Sequence, residues 1–133
     1  MEVKNVLLVG SGTMGIQIAT TLARHDFETW LLPYRSYLNY FKRKEKGELI
    51  TLPASDEFLE SALGITKRII RQWTDKGRLT AQEAEEMLSR IKGTINVEDA
   101  VRDADLVIES IPEDIDRKKE FFRHFDAIVP EKT

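Results

Sequence analysis

The chain has 133 residues, 41% of them hydrophobic and 32% charged, which is the make-up of a single globular domain with a real core. Twenty basic residues against twenty-three acidic ones leave a net charge of −3, which argues against a dedicated nucleic-acid binder. The absence of cysteine excludes a disulfide framework, a thiolate metal site and a cysteine nucleophile, and no apolar run approaches the ~20 residues that cross a bilayer.

The opening residues, MEVKNVLLVG, read as a strand and not as a leader, so the cytoplasm is the expected compartment. Residues 3–9 are apolar over most of their length, as in a strand buried on both faces of a parallel sheet. Residues 13–24 carry Met14, Ile18, Thr21 and Leu22 at helical spacing, and 27–32 read as a second strand. This is the length and order of a βαβ unit.

Residues 34–53 interrupt the pattern and read as an insertion. Tyr34, Tyr37, Leu38 and Phe41 form an aromatic stripe on a short predicted helix, followed by Lys42, Arg43, Lys44 and Lys46 and by a strand-like run, ELITL. Ser55 is expected to cap the next helix, with Asp56 and Glu57 in its first turn and Phe58, Leu59, Ala62, Thr66, Ile69, Ile70 and Trp73 along its apolar side up to Gly77. TAQE, residues 80–83, is a capping box that opens a helix carrying Ala84, Met87, Leu88 and Ile91 and ending before Gly93. Residues 55–92 are thus an antiparallel helix pair, where one crossover helix would suffice, and are expected to project from the sheet. TIN and DLVIES are the next predicted strands, with a short helix near 97–101 between them. A last helix, 115–128, is expected to pack Phe121, Phe122 and Phe125.

Gly10, Gly12 and Gly15 spell G-x-G-x-x-G after a strand and at the opening of a helix. The first glycine permits the tight turn, the second the approach of a pyrophosphate, and the third close helix–strand packing, with the helix N-terminus facing the phosphates. The fold class that follows is α/β: a Rossmann-type doubly wound parallel sheet, truncated, in one dinucleotide-binding domain over 1–133. Gly10, Ser11, Gly12, Thr13, Met14 and Gly15 are the candidate cofactor-binding residues. Such folds place an acidic residue about 20 positions on, for the adenosine ribose of NAD. Here that place falls on Leu32 and Pro33. Proline has no acceptor and no charge, so that while NAD is the expected cofactor NADP is not excluded. Arg35 and the Lys42–Lys44 cluster read first as a solvated face of the insertion, with recognition of the NADP 2′-phosphate as the alternative.

VLLVGSGTMGIQIA, SDEFLESAL, KGRLTAQEAEEMLSRIKGT and the stretch from DADLVIESIPED to VPEKT together resemble the NAD-binding domain of L-3-hydroxyacyl-CoA dehydrogenases, over everything but residues 33–53 or so. The resemblance implies hydride transfer between C3 of a 3-hydroxyacyl-CoA and NAD, in fatty-acid or butanoate metabolism. An unpaired sheet edge or the aromatic stripe predicts a homo-oligomer, and no metal, membrane or nucleic acid is expected. The resemblance places Glu113 near the nicotinamide, Lys118 near cofactor and substrate, and Lys76 near the phosphates of coenzyme A. A helix C-terminus is also a good place for a lysine on structural grounds alone.

The departures matter equally. The family's acidic residue aligns with Pro33 or Pro53, proline in either case. Its catalytic His, Glu, Ser and Asn follow a strand that would begin past Thr133, so no catalytic residue is expected within this sequence. His25 ends the first helix and His124 sits beside phenylalanines; neither has a carboxylate partner in the sequence pattern. Two alternatives stand beside the dehydrogenase reading: a non-catalytic truncated nucleotide-binding module, and the cofactor domain of a related 3-hydroxy-acid dehydrogenase.

Overall fold

A computed structural model describes residues 2–49 and 56–133. Among them, β1 (Asn5–Val9), β2 (Glu28–Leu32), β3 (Ile91–Gly93) and β4 (Leu106–Glu109) form one parallel sheet in the order β3-β2-β1-β4. β1 is central, which is why Val6 to Val9 are all buried: each face of the strand meets helices and each edge meets a strand. The side chains alternate as a pleat requires. Leu8 and Leu31 face α1 (Thr13–Arg24), α3 (Glu57–Asp75) and α4 (Ala81–Arg90). Leu7, Val9 and Leu32 face α2 (Tyr34–Glu45), α5 (Val97–Arg102) and α6 (Ile115–Ile128).

The segment read as an insertion contributes a full helix to that second face. α2 leaves the carboxyl end of β2 and buries Tyr37, Tyr40 and Phe41 against Val97 and Val101 of α5 and Phe121 and Phe125 of α6. Its buried stripe is turned from the expected one. Leu38 is 40% exposed and Tyr40 takes the inward place, its hydroxyl donating to Glu98 Oε1 at 3.1 Å. A polar tip that finds a partner makes tyrosine a better buried residue there than its position in the pattern suggested. Glu48 and Leu49 are irregular, so the expected ELITL strand does not include them; residues 50–52 lie outside the described residues.

The helix pair is packed against the domain, contrary to the expected projection. Ile70, Leu79 and Met87 join Ala19, Ala23 and Ile91 in the core on the α1 face, because the apolar stripe of α3 has no other place to be buried. Asp56 caps α3, accepting from the Leu59 amide at 2.9 Å; Ser55 lies outside the described residues. The capping box of α4 forms as expected: Thr80 Oγ1 accepts from Glu83 N, and Glu83 Oε1 from Thr80 N.

Two strand boundaries differ from expectation. α4 stops at Arg90 and Ile91 starts β3 directly, extended at φ −99° and ψ 117°. Thr94–Asn96, expected to be a strand, serve α5 instead: Asn96 Oδ1 accepts from Glu98 N and Asp99 N. Phe122 does meet Phe121, edge-on at 5.4 Å, but its other side is open and it is 59% exposed beside the outer edge of β4. No described helix is long and apolar enough to cross a membrane.

Candidate functional site

The strand order reverses at β1. The chain runs outward from it to β2 and β3, then returns to place β4 on its other side. A crevice opens at such a switch point, outside the carboxyl ends of β1 and β4, and two groups border it here: the glycine turn after β1 and the Glu109 end of β4.

The glycine turn is built for close approach. Gly10 adopts φ +115°, and a Cβ there would collide with the carbonyl oxygen of Ser110. A Cβ on Gly15 would collide with the carbonyl of Gly10. Among the described residues nothing lies within 4 Å of where a Cβ on Gly12 would stand, so its outer side is open. α1 starts there with no side-chain cap and no acidic residue in its first turn, as α2 does, whereas α3, α4, α5 and α6 are all capped by side chains. An exposed positive helix end on a glycine cradle fits a pyrophosphate. Ser11, Thr13 and Met14 line this turn, Met14 being 66% exposed.

Across the crevice, Lys118 is held by two carboxylates: Nζ lies 2.8 Å from Glu109 Oε1 and 2.9 Å from Glu113 Oε1. Glu109 is also fixed from behind by the Ile111 amide, which donates to Oε2 at 3.2 Å. The hydrogen bonds that Lys118 donates to Glu109 and then to Glu113 raise its pKa and keep it cationic. Glu113 and Lys118, both expected from the sequence, therefore meet. Glu109 was missed, although a carboxylate at the carboxyl end of the strand beside the switch point is a signal in its own right. Lys76 is not brought to this group. It caps the C-terminus of α3, next to the far end of α1, where Arg24 stacks over Trp73 at 5.3 Å. The 12 residues of α1 span about 18 Å between that point and the glycine turn.

The adenosine end of the crevice departs from an NAD site. The Gly10 amide donates to the Leu32 carbonyl at 2.9 Å, which sets the end of β2 against the glycine turn. The next residue is Pro33, buried, at the N-cap of α2. No acidic residue occurs in the first turn of α2. Arg35 is exposed there, makes no ion pair among the described residues, and lies over the Phe58 ring at 4.5 Å. The residues present thus fit the pyrophosphate of a dinucleotide but not the ribose hydroxyls that NAD offers a carboxylate.

A second polar cluster lies away from the crevice. His124 is 6% exposed and stacks on Phe41 at 4.1 Å. It does have a carboxylate partner, contrary to expectation: Nε2 is 2.8 Å from Glu45 Oε1, while Nδ1 is 2.9 Å from the Tyr37 hydroxyl. A carboxylate only accepts, so Nε2–H donates to Glu45, and in the neutral ring Nδ1 accepts from the Tyr37 hydroxyl. Glu45, Glu120 and His124 could together hold a metal ion, their ligand atoms lying within 4.8 Å of one another, but Arg123 already supplies the positive charge, at 3.6 Å from Glu45 and 4.0 Å from Glu120. The cluster ties α2 to α6.

The comparisons with known proteins agree with this geometry. A family model described as "3-hydroxyacyl-CoA dehydrogenase, NAD binding domain" matches residues 5–133. A 3-hydroxyadipyl-CoA dehydrogenase of Escherichia coli is 31% identical, with 100% of this chain and 24% of that protein covered. A probable 3-hydroxybutyryl-CoA dehydrogenase of Bacillus subtilis is 29% identical, with 100% of this chain and 39% of that protein covered. Among solved structures, a 3-hydroxybutyryl-CoA dehydrogenase from Escherichia coli superposes with a TM-score of 0.78 at 27% identity, over 100% of this chain and 24% of that one. The chain thus spans well under half the length of these relatives. By its glycine turn, its sheet order and its match over nearly all its residues, the chain belongs to the NAD-binding domain family of the 3-hydroxyacyl-CoA dehydrogenases.

Proposed function

We propose that the chain is the dinucleotide-binding part of a 3-hydroxyacyl-CoA dehydrogenase. The observation that carries this is the crevice at the strand-order reversal, with an uncapped helix on a glycine cradle at one side and the Glu109–Lys118–Glu113 group at the other. Gly10, Ser11, Gly12, Thr13, Met14 and Gly15 hold the pyrophosphate. Glu113 and Lys118 serve the nicotinamide side, with Lys118 facing both cofactor and acyl-CoA and Lys76 serving the coenzyme A phosphates. When bound, the nicotinamide supplies the hydride acceptor for C3 of a 3-hydroxyacyl-CoA. The salt-bridged Lys118 offers a fixed positive charge near the reacting end, and Glu109 keeps it aimed.

Oxidising a hydroxyl also requires a base for its proton. His25 follows the far end of α1, and His124 is buried between α2 and α6, so neither histidine borders the crevice. The carboxylates there, Glu109 and Glu113, are both paired to Lys118, so the chain by itself reads as a binding part without turnover, and the reading as a non-catalytic nucleotide module describes its behaviour alone. The cofactor domain of a related 3-hydroxy-acid dehydrogenase would share this crevice. Work in the cytoplasm, in fatty-acid or butanoate metabolism, is the setting that the bacterial relatives suggest; relatives from Brassica napus and Arabidopsis thaliana are named as glyoxysomal and peroxisomal. The open edge of β4, with Leu106 43% exposed above a groove of about 490 Å³ that Phe122 and Val129 also line, favours a homo-oligomer.

The test is to incubate the chain with NAD and 3-hydroxybutyryl-CoA and follow NADH absorbance, alongside NADH binding by calorimetry. Binding without turnover is expected. Steady NADH formation would overturn the claim that the chain lacks a base, and absence of any dinucleotide binding would overturn the assignment of the crevice.

A further inference from the structure

The adenosine end of the crevice lacks the feature that makes such a site choose NAD. A carboxylate at the end of β2 selects in two ways: it accepts hydrogen bonds from the ribose hydroxyls of NAD, and its charge repels the 2′-phosphate of NADP. Both effects require an acidic side chain one residue past Leu32, because the Gly10–Leu32 hydrogen bond fixes that position beside the phosphate turn. Pro33 stands there, with a buried ring that can neither accept nor repel. The displacement is not made good nearby. The first turn of α2 has no acidic residue, and the charge it does carry is the cation Arg35.

Arg35 is also placed to serve. Its guanidinium is stacked on Phe58, the second residue of α3, so the side chain is steadied from below while its charge is not cancelled by any described carboxylate. A planar guanidinium held in this way suits a phosphate better than a ribose hydroxyl, since its donors match the phosphate oxygens and its charge is complementary.

Resting on the dinucleotide reading above, we infer that this crevice does not exclude NADP: the chain binds the 2′-phosphorylated dinucleotide at least as tightly as NAD, with Pro33 and Arg35 as the residues that set the choice. The family's preference for NAD is thus not built into this chain's own residues at the ribose.

The test is a pair of calorimetric titrations, NADH and NADPH, on the chain and on two variants. Pro33→Asp restores a carboxylate at a position where aspartate is a good N-cap, so the variant is expected to fold. Arg35→Gln changes an exposed side chain. The wild-type chain is expected to bind NADPH as tightly as NADH or more so. Pro33→Asp is expected to weaken NADPH at least about tenfold relative to NADH, and Arg35→Gln to weaken NADPH by about three- to tenfold while leaving NADH unchanged. A wild-type chain that binds NADH tenfold tighter than NADPH, or an Arg35→Gln variant that leaves NADPH unaffected, would overturn the inference while the dinucleotide reading stands. Binding of neither nucleotide would overturn that reading, and the inference with it.

Discussion

The amide of Gly10 donates to the carbonyl of Leu32 at 2.9 Å, so the turn that receives a pyrophosphate and the strand end that should receive a ribose are locked together. That bond is why the loss of a carboxylate at Pro33 bears on the cofactor and not on some remote loop. It also separates two kinds of glycine in the turn, those that the fold needs and the one that the ligand needs.

Gly12 and Gly15 should therefore behave differently when replaced by alanine. A Cβ on Gly15 meets the Gly10 carbonyl, so Gly15→Ala is expected to lose about 1–3 kcal/mol of stability through overpacking. A Cβ on Gly12 meets nothing within 4 Å, and its φ of −77° suits alanine. Gly12→Ala should stay within about 0.5 kcal/mol of the parent in urea denaturation yet weaken dinucleotide binding at least tenfold, about the value of one lost charge-assisted hydrogen bond. Equal stability losses in the two variants would contradict this division.

Tyr37→Phe removes the hydroxyl that donates to Nδ1 of His124 inside the α2–α6 interface. Burial, with Glu120 adding to it, pushes the Tyr37 phenol well above its usual range, so the proton stays on oxygen and the bond persists over all ordinary pH. The variant leaves a buried ring nitrogen without its donor and is expected to cost about 1–2 kcal/mol in urea denaturation. An unchanged midpoint would mean that α2 adds little to the fold.

Asp105 ties the starts of β1 and β4 to the C-terminal end of the chain. It accepts from the Lys4 and Asn5 amides at 2.9 Å each and pairs with Lys132 at 2.8 Å. The Lys132 hydrogen bond and then the two amides hold its carboxyl well below the usual carboxylate range. A carboxyl depressed on folding contributes fully above its unfolded value, about 3.9, and loses that contribution as pH falls below it. Stability of the parent should thus decline below about pH 4, and Asp105→Asn should remove part of that decline. Parallel pH profiles for the two proteins would count against it.

No described strand pairs with the outer edge of β4, so this chain by itself is expected to associate. Light scattering should show a species larger than one chain at high concentration, and Phe122→Glu, which puts a charge in the groove beside Leu106 and Val107, should shift it toward the monomer. A parent that stays monomeric would contradict the homo-oligomer reading.

What could be read from the sequence was what local chemistry decides. The glycine turn, α1 and α6 stand where the spacing of apolar residues and glycines put them, with α1 at Thr13–Arg24 and α6 at Ile115–Ile128. β3 was misplaced because Ile91 continues the helical spacing of Met87 and Leu88 as well as it starts a strand, and α4 passes into β3 without a loop to mark the change. The face of α2 was misjudged for a related reason: Leu38 and Tyr40 are two residues apart, and what takes Tyr40 inward, the core beside α5 and the Glu98 carboxylate 58 residues on, is distant in sequence. Long separation hid the rest. Glu45 lies 79 residues from His124, and nothing local in either stretch announces the other. Glu109 and Lys118 are joined across a turn whose path the sequence leaves open.

The most direct test is a calorimetric titration of NADH into the parent chain and into Gly12→Ala, with Trp30 and Trp73 fluorescence as a check on folding. Saturable binding of one dinucleotide per parent chain, at least about tenfold weaker in the folded variant, is the expected result. No binding to the parent, or equal binding to both, would mean that the glycine turn does not receive a pyrophosphate here.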